Sequence, residues 1–254
     1  MTGVREPAVA GKFYPDDPEE LKRMINGYLN EASVTEIKGT LKGLIVPHAG
    51  YVYSGPVAAY GYKLLEGKNP GRIIILGPSH YAQFPGLAES GHKGWSTPLD
   101  ITETFSIGNI SKYPAAHRSE HSLEVQLPFL QVVLEDKEFT VDPILTGMIS
   151  PEEGAAILEK EDAFLIVSSD LSHYNPYDAA KELDARTVEL IERMDIPGFI
   201  QFGDACGKMG ILIAIELAKR KGWKIKALHY ANSGDTAGPR TEVVGYAALA
   251  IVEE

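Results

Sequence analysis

Three stretches of the chain end alike: LIVPHAGY at 44–51, IIILGPSHY at 73–81 and FLIVSSDLSHY at 164–174. Each is an apolar run of strand character that breaks at Pro, Gly or Ser and then presents a histidine close to a tyrosine. Imidazole titrates near neutral pH and is a frequent metal ligand, so a histidine delivered at a strand end is a candidate for both roles. In open α/β sheets the loops leaving the carboxyl ends of the strands converge on one edge, where ligands bind. If these runs are parallel strands of one sheet, His48, His80, Asp170 and His173 gather at that edge. The set supports a metal site, an acid/base pair, or both. Cys206, in GDACGKMG, is the only cysteine and stands just ahead of an expected helix. There, free amides and the positive end of the helix dipole should lower the thiol pKa and favour thiolate, a ligand or a nucleophile. Two imidazoles plus one anionic ligand make an open transition-metal site. His121, in RSEHSLEVQLPFL, is expected as a polar wall residue, and Tyr51, Tyr81 and Tyr174 as walls of the pocket. His92, His117 and His229 lack any such context and read as surface or core residues.

The elements that must position these groups alternate. Asp17, Pro18 and Glu20 mark a helix start, followed by Leu21, Ile25, Tyr28 and Leu29 at helical spacing. Strands are expected over 44–46, 72–76, 140–144 and 163–167, with closing strands over 223–230 and 243–252. Helices are expected over 56–65, 120–134, 151–159, 177–194 and 208–220, with 50–55 as a turn-rich loop and Pro128 kinking or interrupting its helix. Residues 82–113, rich in Gly, Ser, Thr and Pro, read as short strands and loops. The expectation is a single α/β domain over 1–254, with a central mixed, largely parallel sheet flanked by helices.

Composition narrows the function. At 254 residues and 44% hydrophobic, the chain can close a large core. A net charge of −11 argues against gripping nucleic acid through its phosphates, which needs a basic face. No apolar run approaches the roughly 20 residues that cross a bilayer, and MTGVREPAVAGKFYP lacks the regions of a signal peptide, so a cytoplasmic protein with no membrane partner is expected. One cysteine excludes an intrachain disulfide. The glycines form neither G-x-G-x-x-G nor a P-loop, and no G-x-S-x-G elbow accompanies the serines. A Cys206/His hydrolase lacks a readable oxyanion-hole motif.

The assembled motifs REPAVAGKFYP, PHAGYVYSG, LGPSHY, EHSLEVQLPFL and SSDLSHY, in this order, resemble the signatures of the Memo family. That family is related in fold to class III (LigB-type) extradiol dioxygenases, and the resemblance runs from Arg5 to Val252. It implies a LigB-like fold and a metal or active site made by His48, His80 and Cys206, with His173 in the position of the dioxygenases' base and Asp170 beside it, orienting it. Those dioxygenases hold ferrous iron with two histidines and a glutamate. One transition-metal ion is expected, iron or copper first and zinc next; with Cys206 as third ligand in place of the glutamate, the soft thiolate should shift preference from iron toward copper or zinc. Redox or oxygen chemistry on a small substrate follows, without ordinary catechol cleavage. The alternative is a binding module that recognises an anionic ligand or phosphopeptide in the same cleft. The resemblance also implies, for prokaryotic members, an association with a radical-SAM protein, and for eukaryotic ones a role in growth-factor receptor signalling.

Overall fold

The computed structural model describes residues 2–35 and 37–254. Four parallel strands form the centre: β2 (Thr40–Val46), β3 (Arg72–Pro78), β8 (Thr140–Thr146) and β9 (Phe164–Ser168), side by side in the order β2-β9-β3-β8. Their side chains alternate between two cores. Leu44, Val46, Ile73, Ile75, Val141 and Ile166 face one layer, and Ile45, Ile74, Leu76, Ile144, Leu165 and Val167 face the other. Such double burial is why these segments read as continuous apolar runs. Each fully covered aliphatic side chain contributes about 1.5–3 kcal/mol relative to exposure.

The first core is roofed by α1 (Pro18–Glu31), α2 (Tyr51–Tyr62) and α4 (Leu127–Val133). The second is covered by α5 (Pro151–Leu158), α6 (Tyr177–Glu192), α7 (Ile196–Phe202) and α8 (Lys208–Lys221). Antiparallel strands extend the sheet on both sides. On one flank β12 (Val243–Glu253) pairs with β2, with β11 (Lys224–Asn232) and with β10 (His173–Asn175). On the other, β4 (Leu87–Glu89) pairs with β8, and β7 (Ser111–Lys112) with β4. A separate small sheet joins β1 (Thr2–Arg5), β5 (His92–Ser96) and β6 (Ile101–Glu103). The short helices α3 (Pro114–His117) and α9 (Ser233–Thr236) complete the elements. Among the described residues no helix is long and apolar enough to cross a membrane.

Two segments depart from the sequence expectation. The expected loop at 50–55 is the first half of α2, which starts at Tyr51 and carries Pro56 inside it. The proline removes one helical hydrogen bond, and the carbonyl that loses its partner belongs to Val52, a residue 49% exposed. The expected helix over 120–134 begins only at Leu127, after a 3-10 turn over Glu124–Gln126, and Pro128 sits in its first turn, where a missing N–H costs nothing. Upstream, Glu120 draws the backbone N–H groups of His121 and Ser122 onto its own carboxylate, which competes with helix formation.

Candidate metal centre

The four parallel strands release their loops at one edge of the sheet. His48 follows β2, His80 follows β3, and Asp170 with His173 follows β9. Cys206 arrives on the loop between α7 and α8. Gly207 makes its approach close: a Cβ there would stand 2.6 Å from Ser168 O, so only glycine lets this loop press against the end of β9. Gly207 N then donates to Ser169 Oγ and Cys206 N to Asp170 O. As a result, one ligand atom each from His48, His80 and Cys206 lies within 4.8 Å of the others. Cys206 Sγ is 3.1 Å from His48 Nε2 and accepts from Asp170 N at 3.2 Å.

Each histidine is tied by its other nitrogen. His48 Nδ1 is 2.9 Å from Ser168 Oγ, and His80 Nδ1 is 2.9 Å from Glu120 Oε1. Glu120 is fully buried and accepts in addition from the backbone N–H groups of His80, His121 and Ser122. Burial works against its charge, but the hydrogen bonds from His80 and Ser122 outweigh it and hold the carboxyl down to about 2. Burial also opposes charge on His80, yet the Glu120 hydrogen bond and charge win and raise its pKa. His48 is lowered to about 3, first by burial and then by the charge of His80, so it stays neutral. Burial likewise takes His121 down to about 4.

The Cys206 thiol departs from the expectation of a lowered pKa. Burial pushes it up, and the Asp170 charge adds to that, outweighing the donors from Asp170, Ser169 and Gly207. The helix does begin at Lys208, two residues past the cysteine, as expected, and burial is nevertheless the larger effect. Thiolate at this position therefore needs a cation beside it, as metal coordination would supply. The donor set fits a transition-metal ion: two imidazoles, each with one nitrogen committed to a partner in the protein, and one sulfur.

The remaining predicted residues divide. His121 stacks on His80, with centroids 4.6 Å apart at 20°, and meets Phe13 in a tilted contact at 4.7 Å. A second group of donor atoms, from His80, Glu120 and His121, also lies within 4.8 Å. His173 is close enough for its charge to act on both His48 and Asp170. Asp170 was expected to orient His173. Its Oδ1 instead accepts from the backbone N–H groups of His48 and Ala49, which fixes the loop that carries His48. Tyr81 and Tyr174 are 65% and 72% exposed, and Tyr174 has φ 58°, a backbone region that side chains rarely enter. Tyr51 does not line the cleft. It is 2% exposed, its hydroxyl donates to Val125 O, and it packs on Tyr14 and Phe129.

The sequence reading missed Glu120, Ser168 and Gln126, although all three stand inside or beside its motifs. It also left REPAVAGKFYP without a task. Arg5, from that motif, donates to Glu120 O and His117 O and pairs with the buried Glu124, bracing the segment behind His80. Acidic or amide residues next to a histidine were the available signal, since ligand histidines nearly always donate their second N–H to such groups.

A family model described as Memo-like protein matches residues 5–250. MEMO1 family proteins of Aquifex aeolicus and Ignicoccus hospitalis are each 36% identical, over 97% of this chain and 98% of their own. One from Nitrosopumilus maritimus is 35% identical, over 98% of this chain and its full length. Together with the α/β architecture and the edge cluster of His48, His80 and Cys206, these matches establish that the chain belongs to the Memo-like family.

Proposed function

We propose that the protein binds one transition-metal ion through His48, His80 and Cys206 and carries out non-haem redox or oxygenase-like chemistry on a small substrate. The observation that supports this most is the meeting of the three donor atoms within 4.8 Å. Imidazole nitrogen accepts iron, copper and zinc alike, and the thiolate favours copper or zinc. When bound, the ion would supply Lewis acidity or electron transfer. The chain's own residues do the rest. His173, half-buried at the start of β10, holds or accepts a proton at the cleft edge. Asp170 pins the His48 loop, and His121 stacks on the His80 ring. Metal content of protein prepared without chelator tests the site: His48→Ala and His80→Ala should each lose the ion, and full retention in both refutes it. His173→Ala should keep the metal and lose turnover.

A second reading, recognition without turnover, is favoured by the exposure of Tyr81 and Tyr174 beside the histidines. Tyrosine hydroxyls and imidazole N–H groups can donate to an anionic or phosphorylated peptide. Calorimetry with a phosphotyrosine peptide, with and without metal, separates the two readings: heat without any turnover supports recognition, and its absence in both states removes it.

A further inference from the structure

Ser168 ends β9 directly behind His48 and is fully buried. Its hydroxyl oxygen lies 2.6 Å from Ser122 O, 2.7 Å from Gln126 Nε2 and 2.9 Å from His48 Nδ1. A hydroxyl has one proton and two lone pairs, so the three neighbours decide where each goes. A carbonyl only accepts, and Ser122 O therefore takes the serine proton. The Gln126 amide is oriented without ambiguity, because Nε2 also donates to Pro47 O at 3.0 Å while Oε1 accepts from Tyr62 at 2.7 Å. Nε2 fills one lone pair of the serine oxygen. The other lone pair faces His48 Nδ1, which must carry hydrogen. His48 is thereby held as the Nδ1–H tautomer, with a bare Nε2 directed at Cys206 Sγ.

The same segment does this twice. Glu120, six residues before Gln126, takes the Nδ1–H of His80 on Oε1 and the His80 backbone N–H on Oε2. Its ionised carboxylate only accepts, so His80 too keeps its proton on Nδ1. The two segments are knit by Ser122, which donates to Pro78 O and offers its carbonyl to Ser168.

We infer that Ser168, supported by Gln126, and Glu120 are positioning residues that set the proton of His48 and His80 on Nδ1, so that in each neutral ring Nε2 is the nitrogen left for a cation. The effect on metal binding rests on the proposed metal site, but the tautomers do not. Because the partner of His80 is a carboxylate and that of His48 a neutral hydroxyl, His80 is the more basic of the two ligands.

The test begins with metal-free protein carrying nitrogen-15 in its histidines. Long-range proton–nitrogen spectra, recorded in solution alkaline enough to leave both rings neutral, should show His48 and His80 protonated at Nδ1 and bare at Nε2, and a neutral ring protonated at Nε2 in either overturns the inference. Zinc affinity by chelator competition then follows for three variants. Ser168→Ala should shift His48 toward Nε2–H and weaken zinc about 10- to 100-fold, Glu120→Gln should weaken it about 10-fold, and Ser168→Thr, which keeps the hydroxyl, should stay within about 3-fold of the parent. Unchanged affinity and an unchanged tautomer in Ser168→Ala overturn the inference. If that variant does not fold, the parent spectrum and the Glu120→Gln affinity decide. A parent that takes up no zinc yet shows both Nδ1–H tautomers refutes the metal site and leaves the positioning role standing.

Discussion

Glu124→Gln is the substitution that most severely tests how the back of the site is built. Glu124 is fully buried, and its two oxygens accept four hydrogen bonds: Oε1 from Tyr14 Oη at 2.7 Å and Val9 N at 3.0 Å, Oε2 from Arg5 Nη1 at 2.7 Å and Ala8 N at 2.8 Å. Glutamine has nearly the same shape but turns one oxygen into an NH2 that must face two donors. Arg5, 4% exposed and lying over Trp95 at 4.1 Å, is left with an uncompensated charge. Removing one partner of a buried ion pair costs about 3–5 kcal/mol. In a domain of this size each kcal/mol lowers Tm by about 2–4 °C, which gives a drop of about 6–20 °C. The surface pair of Lys22 and Glu135, each about half exposed, is the control, and Lys22→Ala should leave Tm close to that of the parent. Thermal and urea unfolding of the metal-free proteins measure both. A Tm for Glu124→Gln within about 2 °C of the parent would refute the reasoning. Since Arg5 Nη2 also donates to Glu120 O at 2.7 Å, the variant should weaken zinc binding as well.

Two further outcomes are expected. Asp142 and Glu89 are both buried, and they converge on the Ile107 N–H. Burial first, and then Glu89, pushes Asp142 up to about 8, so the folded protein holds a proton that the unfolded chain releases near pH 4. Its stabilising contribution is full below about pH 4 and is lost as the pH rises through about 8, so Asp142→Asn should gain stability over the parent at pH 9 and much less at pH 5; urea midpoints that change in parallel would contradict this. Because burial keeps the Cys206 thiol protonated in neutral solution, metal uptake must displace that proton, and zinc affinity should rise at least about tenfold per pH unit between pH 6 and 8. Calorimetry in buffers of different ionisation enthalpy reads the released proton directly, and a pH-independent affinity would exclude the thiol as a ligand.

The parallel centre of the fold was readable because its strands are buried on both faces. Ile73 to Leu76 supply residues to two cores in strict alternation, and no helix could place four consecutive aliphatic residues so. From there the meeting of His48 and His80 at one edge followed by topology alone. What failed was local chemistry that competes with propensity. Glu120 reads as a helix former, but its carboxylate captures the neighbouring N–H groups and delays the helix to Leu127. Tyr51 stands three residues after His48 and was read as a wall, whereas the early start of α2 turns it into the core toward Phe129. The expected acidity of Cys206 rested on proximity to a helix in sequence, and burial proved the larger effect. Ser168 and Gln126 could not be found by spacing, since they are 120 and 78 residues from His48 and meet it only through the sheet.

The most direct measurement is X-ray absorption at the zinc edge of protein loaded with one equivalent of the ion. The account predicts a first shell with one sulfur at about 2.3 Å and two imidazole nitrogens at about 2.0–2.1 Å, with the sulfur signal missing in Cys206→Ser. A shell of nitrogen and oxygen alone in the parent, or the same spectrum in His48→Ala and His80→Ala, would contradict it.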